Sequence, residues 1–280
     1  MNTFSGETYI ETTNKVIGAY SGILAGTYNT TKGAYSGILA GTYNTTAYDY
    51  SVVLGGELNT ASGIRSSVTG GYNNTASGLD SFVTGGQRNT ATGESSSIVG
   101  GDFNTAAGRN SSVIGGQYNK ASNYKSSVTG GFNNTASGLE SSVTGGDNNT
   151  ASGAQSSVTG GRYNTASGMM SSITGGYRNT SYNICEFATG ILNNSTQSSY
   201  TYLATGFSIG NGTLIKIDNV VTNKKHNAFE VKQNGDIYIP DTSTGVAYYE
   251  APMIHLQQKI IDLETTITNL KARIAALENK

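Results

Sequence analysis

The chain has 280 residues and a mass of 29.1 kDa, with 38 glycines, 12% charged residues, and 17 basic against 18 acidic side chains for a net charge of -1. Glycine is at about twice its usual share and charge at about half, and the balanced charge excludes the basic footprint of a nucleic-acid binder. One cysteine excludes an intramolecular disulfide framework. A mean hydropathy of -0.30, with no apolar run near the roughly 20 residues of a membrane span, excludes insertion into a bilayer. Met1 to Lys15 has no basic start followed by an apolar stretch, so no cleavable signal is expected.

Residues 1–17 lack the repeat that fills most of the chain and are read as an N-terminal attachment segment. From Gly18 a fifteen-residue unit begins, GAYSGILAGTYNTTK, which settles from Ser66 into SSVTGGYNNTASGLD and its variants and fades after Ile184, giving twelve units over residues 18–197. Three columns define it. A β-branched residue recurs from Ile23 through Val68 to Ile173, a glycine follows three residues later (Gly71, Gly86, through Gly176), and an asparagine three after that (Asn74, Asn89, through Asn179). Two residues beyond the asparagine the unit mostly carries alanine, from Ala61 to Ala166. Helical repeats need longer periods, and interior glycine and β-branched residues oppose helix. The unit therefore reads as one short coil of an all-β solenoid, with two brief strands and two turns, one Val or Ile and one Ala facing inward, and a rod of roughly 55 to 60 Å when stacked at strand spacing. Stacking predicts that like columns lie over one another, so Arg65 meets Asp80 and Lys125 meets Glu140. So thin a core barely offsets the ordering entropy, and further burial by other chains is expected.

With its S-V-x-x-G and N-x-A-x-G punctuation, the unit resembles the YadA-like head repeats of trimeric autotransporter adhesins over about 180 of the 280 residues. The resemblance implies a left-handed parallel β-roll with three chains side by side. The present unit is one residue longer than the common head repeat and has Thr-Gly-Gly in place of Ala-x-Gly.

Residues 198–252 change to alternation. Leu214, Ile215 and Ile217 predict a strand, and AFEVKQNGDIYIP predicts a hairpin that sets Phe229 and Val231 opposite Ile237 and Ile239 across an Asn234-Gly235 turn. This connector resembles those of phage and viral tail-fibre proteins. Residues 253–280 follow a heptad: Met253, Leu256, Ile260, Leu263, Ile267, Leu270, Ile274 and Leu277 take the a and d positions, and Lys259 with Glu264 and Arg273 with Glu278 fall at g and the following e. Ile at a with Leu at d favours two strands. The RIAALE segment, from Arg273 to Glu278, is similar to a pattern of trimeric coiled coils, and with the β-roll resemblance it sets the expectation at a homotrimer.

No catalytic, cofactor-binding or metal site is expected. His226 and His255 read as solvated, and Cys185 reads as a small buried filler. The acids are scattered singly, with no metalloprotease, calcium-loop or P-loop motif. The informative positions are the two variable residues after each glycine pair, which supply Tyr72, Arg88, Phe103, Tyr118, Phe132, Arg162, Tyr163, Tyr177 and Arg178. Aromatic and Arg side chains on a rigid frame suit protein or sugar recognition, and equally suit contact between chains of the oligomer. The resulting expectation is a non-enzymatic virion structural protein on the surface of a phage, virus or phage-like particle. Such a homotrimeric tail fibre docks through residues 1–17 to a baseplate or capsid protein and binds a host receptor or glycan. An ice-binding or other repetitive surface binder is the alternative, on the Thr column Thr69, Thr84, Thr129, Thr144, Thr159 and Thr174, which Val99 and Ile114 interrupt. A polysaccharide-degrading spike ranks last, for want of an acidic cluster.

Overall fold

In the computed structural model, the described residues are 13–193, followed by 205–211, 213–217, 220–224, 227–232, 237–238, 263–268 and 271. Residues 13–193 form a parallel β-solenoid in which each fifteen-residue coil contributes two strands of two residues. One sheet has twelve strands, running from Lys15–Val16 and Thr30–Thr31 through Thr75–Ala76 to Thr180–Ser181. The other starts at Gly22–Ile23 and continues through Ser67–Val68 and Ser172–Ile173 to the longer Phe187–Ile191, beyond which it gains further strands. Register is a constant fifteen: Val68 pairs with Val83 and Ala76 with Ala91. We refer below to the alanine sheet and the valine sheet.

Each coil donates forward to the next through both strands, as Thr60 N–H to Asn74 O (2.8 Å) and Ser67 N–H to Ser81 O (3.0 Å). Two residues per coil donate backward, as Arg65 N–H to Asp49 O (3.0 Å) and Asn73 N–H to Glu57 O (2.9 Å). These backward donors have positive φ and belong to a set of 24 non-glycine positions, among the described residues, with φ between 52° and 59°. A left-handed conformation reverses the amide, and it is uncommon outside glycine, Asn and Asp. Here the column includes Tyr, Arg, Leu and Met, because the coil-to-coil hydrogen bond and the stacked neighbour hold the turn against its intrinsic cost.

The interior is half polar, which the expected pair of Val and Ala per coil did not include. Asn29 to Asn179 are buried along with the Val and Ala columns, as is the serine two residues before each Val. The asparagines form a continuous ladder. Asn104 Nδ2 donates to Gly100 O (3.0 Å) and Gly116 O (2.9 Å), its Oδ1 accepts from Asn119 N (2.9 Å), and its own N–H reaches Asn89 Oδ1 (2.9 Å). The amide thus satisfies the backbone of the turn it sits in and of the next coil, meeting the requirement that buried polar groups be paired. Serines are less uniform. Ser81 Oγ donates to Gly78 O at 2.8 Å, whereas Ser96, Ser111, Ser156 and Ser171 Oγ are buried with no partner. Since an unpaired buried hydroxyl costs about 1–3 kcal/mol, Ser96→Ala is expected to raise the thermal midpoint by about 2 °C. Ser81→Ala, which deletes a made bond, is expected to leave it unchanged or lower it. Parallel melts followed by circular dichroism decide, and a fall for Ser96→Ala contradicts the reading.

The ladder begins at Asn14, whose Oδ1 accepts from Asn29 N (2.9 Å), and Lys15 pairs with Thr30, so the end of the 1–17 segment belongs to the rod. At the other end the register slips. Ile173 pairs with Ala188, fifteen on, but Tyr177 pairs with Ile191 and Asn179 Oδ1 accepts from Asn193 N, both fourteen on. One residue is therefore missing from the last coil, where the fading repeat led us to expect a twelfth unit of fifteen. The valine sheet then continues without a break: Phe187–Ile191 pairs in parallel with Thr205–Asn211, which pairs antiparallel with Asn227–Lys232. The expected strand is present as Thr213–Ile217, paired with Val220–Lys224. The hairpin is present as Asn227–Lys232 against Ile237–Tyr238, with Val231 opposite Ile237, while its Asn234-Gly235 turn lies outside the described residues. Of the heptad residues only Leu263 and Ile267 are described, in helix 263–268, and both are exposed; Met253, Leu256, Ile260, Leu270, Arg273, Ile274, Leu277 and Glu278 lie outside the described residues. Residues 1–12 and both histidines do so as well. Among the described residues no helix is long and apolar enough to cross a membrane.

Candidate functional site

Two turns close each coil, and stacking turns them into two long edges. The edge after the glycine pair carries the recognition candidates, and its frame is fixed by the second glycine. Gly86 has φ +86°, and a Cβ there would stand 2.1 Å from Gly101 O, whereas a Cβ on Gly85 would meet nothing within 4 Å. The next two residues then point outward, the second of them in the left-handed column.

The structure joins eight of the nine candidates into two runs. In the first, the Arg88 guanidinium lies over the Phe103 ring (5.0 Å), Phe103 stacks on Tyr118 (4.9 Å, 21° between planes), and Tyr118 meets Phe132 edge-on (5.8 Å, 85°). In the second, Arg162 lies over Tyr163 (5.0 Å), Tyr163 meets Tyr177 edge-on (6.1 Å, 78°), and Arg178 stands over both rings at 5.7 and 5.2 Å. A polar relay links the runs: Asn133 Nδ2 donates to Asn148 Oδ1 (2.6 Å), Asn148 Nδ2 donates to Asp147 Oδ1, and Asp147 pairs with Arg162 at 2.7 Å. The charge of Asp147 pushes the Arg162 guanidinium above its ordinary value. Tyr72 lies on the same edge, its backbone bridged to Glu57 and Gln87, without a ring contact among the described residues.

The edge is longer than the sequence reading had it, since Tyr28 stacks on Tyr43 at its N-terminal end (4.8 Å, 6°). On the opposite edge, Tyr20, Tyr35 and Tyr50 form a second ladder (5.0 and 5.2 Å). Their fifteen-residue spacing was the available signal. Below that ladder the expected charge pairs form, Arg65 with Asp80 at 2.5 Å and Lys125 with Glu140 at 3.7 Å, joined by Arg109 with Glu94 at 3.2 Å. Hydrogen bonding from Arg65 lowers the Asp80 carboxyl. That contribution is present above the unfolded value and lost as pH falls through the folded one, and exposure keeps it small. Cys185 corrects the sequence reading: it is exposed, not a buried filler, because its column is the outward left-handed one, with φ 57°. Among the described residues no group of three or more His, Cys, Asp or Glu is placed to hold a metal ion.

These features define a class: a parallel β-solenoid repeat protein with a recurring polar-and-aliphatic interior and two variable stacked edges. No protein-family model matches the chain, and no curated protein matches it.

Proposed function

We propose that the chain is a non-enzymatic attachment protein, a homotrimeric fibre or spike on the outside of a phage, virus or phage-like particle. Its β-roll is left-handed, its C-terminal heptads form the trimeric coiled coil, and it binds a host receptor or glycan. The observation that carries this reading is the edge from Arg88 to Arg178, where cation–π and ring contacts hold exposed and half-buried aromatic and Arg side chains in fixed array on a rigid frame. Such side chains, ordered before binding, dominate recognition energetics. Leu263 and Ile267, exposed on helix 263–268 of a single chain, support association through the heptads. Light scattering is expected to give about three times 29.1 kDa for the full chain. Tyr163→Ala with Arg178→Ala is expected to weaken adsorption to host cells at least about tenfold with circular dichroism unchanged. A mass of one chain overturns the fibre, and undiminished adsorption overturns the edge.

A second reading, an ice-binding or other lattice-binding protein, draws on the outward Thr column of the alanine sheet. It runs in register from Thr30 through Thr60 and Thr90 to Thr105 and resumes at Thr135 after Lys120. Thermal hysteresis of the purified protein separates the two: its absence removes this reading.

A further inference from the structure

We propose that the outward face of the valine sheet is the surface along which copies of this chain lie against one another, with the alanine sheet turned to solvent. The proposal rests on the homotrimer reading above and assigns its interface.

The two sheets are unequal in what burial would cost. Outward from the valine sheet stand the residues on either side of each inward Val or Ile, from Gly22 and Leu24 to Phe187 and Thr189, and not one of them is charged or carries a side-chain amide. The alanine sheet presents Lys15, Lys32 and Lys120, all exposed, which a dry contact would have to strip of water. Many exposed large apolar side chains, Ile64, Leu79, Leu139 and Met169 among them, stand on the turn edges, but those on the sheets divide the same way. Leu24, Leu39, Leu54, Phe82, Val99 and Ile114 all lie on the valine face, against Val16, Ile17 and Tyr182 at the two ends of the other. Leu24 is 78% exposed and Ile114 51%. Exposed apolar side chains of this size, repeated along one sheet face, are the mark of a surface made to be covered.

Shape agrees with charge. Over most of its length the valine face is Ser and Thr, small and flat, and at the N-terminal end Gly22 and Gly37 floor a shallow groove of about 360 Å³ walled by Ile23, Leu24, Leu39 and Leu54. The rows of leucine beside that groove give a second copy both a knob and a slot. Twelve strands at about 4.8 Å and three residues of width at about 3.3 Å make a strip of roughly 570 Å² before side-chain relief is counted, the same order as the about 800 Å² per partner of a stable interface. The Leu, Phe, Val and Ile positions replace Thr or Ser of other coils, so the repeat frame does not require them.

Two single-cysteine chains test the face, both with Cys185→Ser: Thr144→Cys on the valine face and Thr150→Cys on the alanine face. In one isolated chain Thr144 is the more exposed of the two, so an uncovered rod reacts at least as fast there. The expected result for the full-length protein is the reverse: a bulky maleimide labels Thr144→Cys at least about tenfold more slowly than Thr150→Cys in buffer and at the same rate in denaturant. Equal rates, or faster labelling at position 144, in a sample whose mass is that of three chains overturn the interface and leave the homotrimer standing. A mass of one chain for the unlabelled protein overturns the homotrimer and the interface with it.

Discussion

Asn104→Ala is expected to cost each chain about 2–4 kcal/mol, read as a fall in the urea or thermal midpoint. The substitution orphans the buried Asn119 N–H, which has Asn104 Oδ1 as its acceptor, and removes the donor to Gly100 O and one of two donors to Gly116 O. An unsatisfied buried group costs about 1–3 kcal/mol, and the side chain lost from a buried column leaves a void besides. Stability in a rod of stacked repeats is a sum of coil and interface contributions, so the loss is expected to be local. Amide exchange should rise in the coils around Asn89, Asn104 and Asn119 before the ends of the rod respond.

Asn104→Asp sharpens the test. One carboxylate oxygen can accept from Asn119 N–H, but the other faces the carbonyl oxygens of Gly100 and Gly116, where the wild type presents an amide donor. Burial and those carbonyls raise the folded pKa of the new carboxyl above its unfolded value of about 3.9. The folded state then binds more protons than the unfolded one, so the variant's stability falls as pH rises from about 4 through its folded pKa and is level above it. The variant is expected to come nearest to wild type at pH 3 and to lie furthest below it at neutral pH. A deficit equal at both contradicts the ladder as the source of stability.

The second large effect is expected at Gly86. Gly86→Ala would put Cβ 2.1 Å from Gly101 O, 2.6 Å from Asn89 Nδ2 and 2.9 Å from Gly101 N at a φ of +86°, a clash chiefly with the backbone of the next coil, which cannot swing aside as a side chain could. Strain and steric rearrangement together set the cost at about 3–5 kcal/mol. Gly85→Ala, one residue earlier, meets open space, and removing unfolded-state freedom is expected to leave stability equal or about 0.5 kcal/mol higher. The chain has already made the milder exchange, with Ala25-Gly26 and Ala40-Gly41 where later coils have Gly-Gly. If the two variants melt alike, the stacked turn does not set the spacing of the coils.

Period, register, the Val, Gly, Asn and Ala columns and the opposed charges Arg65 and Asp80 were legible because every coil repeats the same contacts, so a local pattern is also a tertiary one. The hairpin pairing of Val231 with Ile237 was legible for the ordinary reason that alternation and turn chemistry agree. Depth was not legible. Nothing in the composition says that the Asn and Ser columns lie inside, since a polar residue's usual place is outside and only the coil-to-coil bonds show what satisfies it. Cys185 misled for the same reason in reverse, as an apolar-leaning residue whose column faces out.

The repeat, its length and the residues that recur are legible without a structure, because a fifteen-residue spacing needs no fold to be seen. Three features emerge only from the wound chain: which columns point inward, that 24 side chains among the described residues stand on left-handed backbone, and that Arg88, Phe103, Tyr118 and Phe132, each fourteen or fifteen residues from the next, form one surface. The physical reason is that backbone hydrogen bonds between coils set every φ and every neighbour, and those bonds exist only once the chain has wound onto itself.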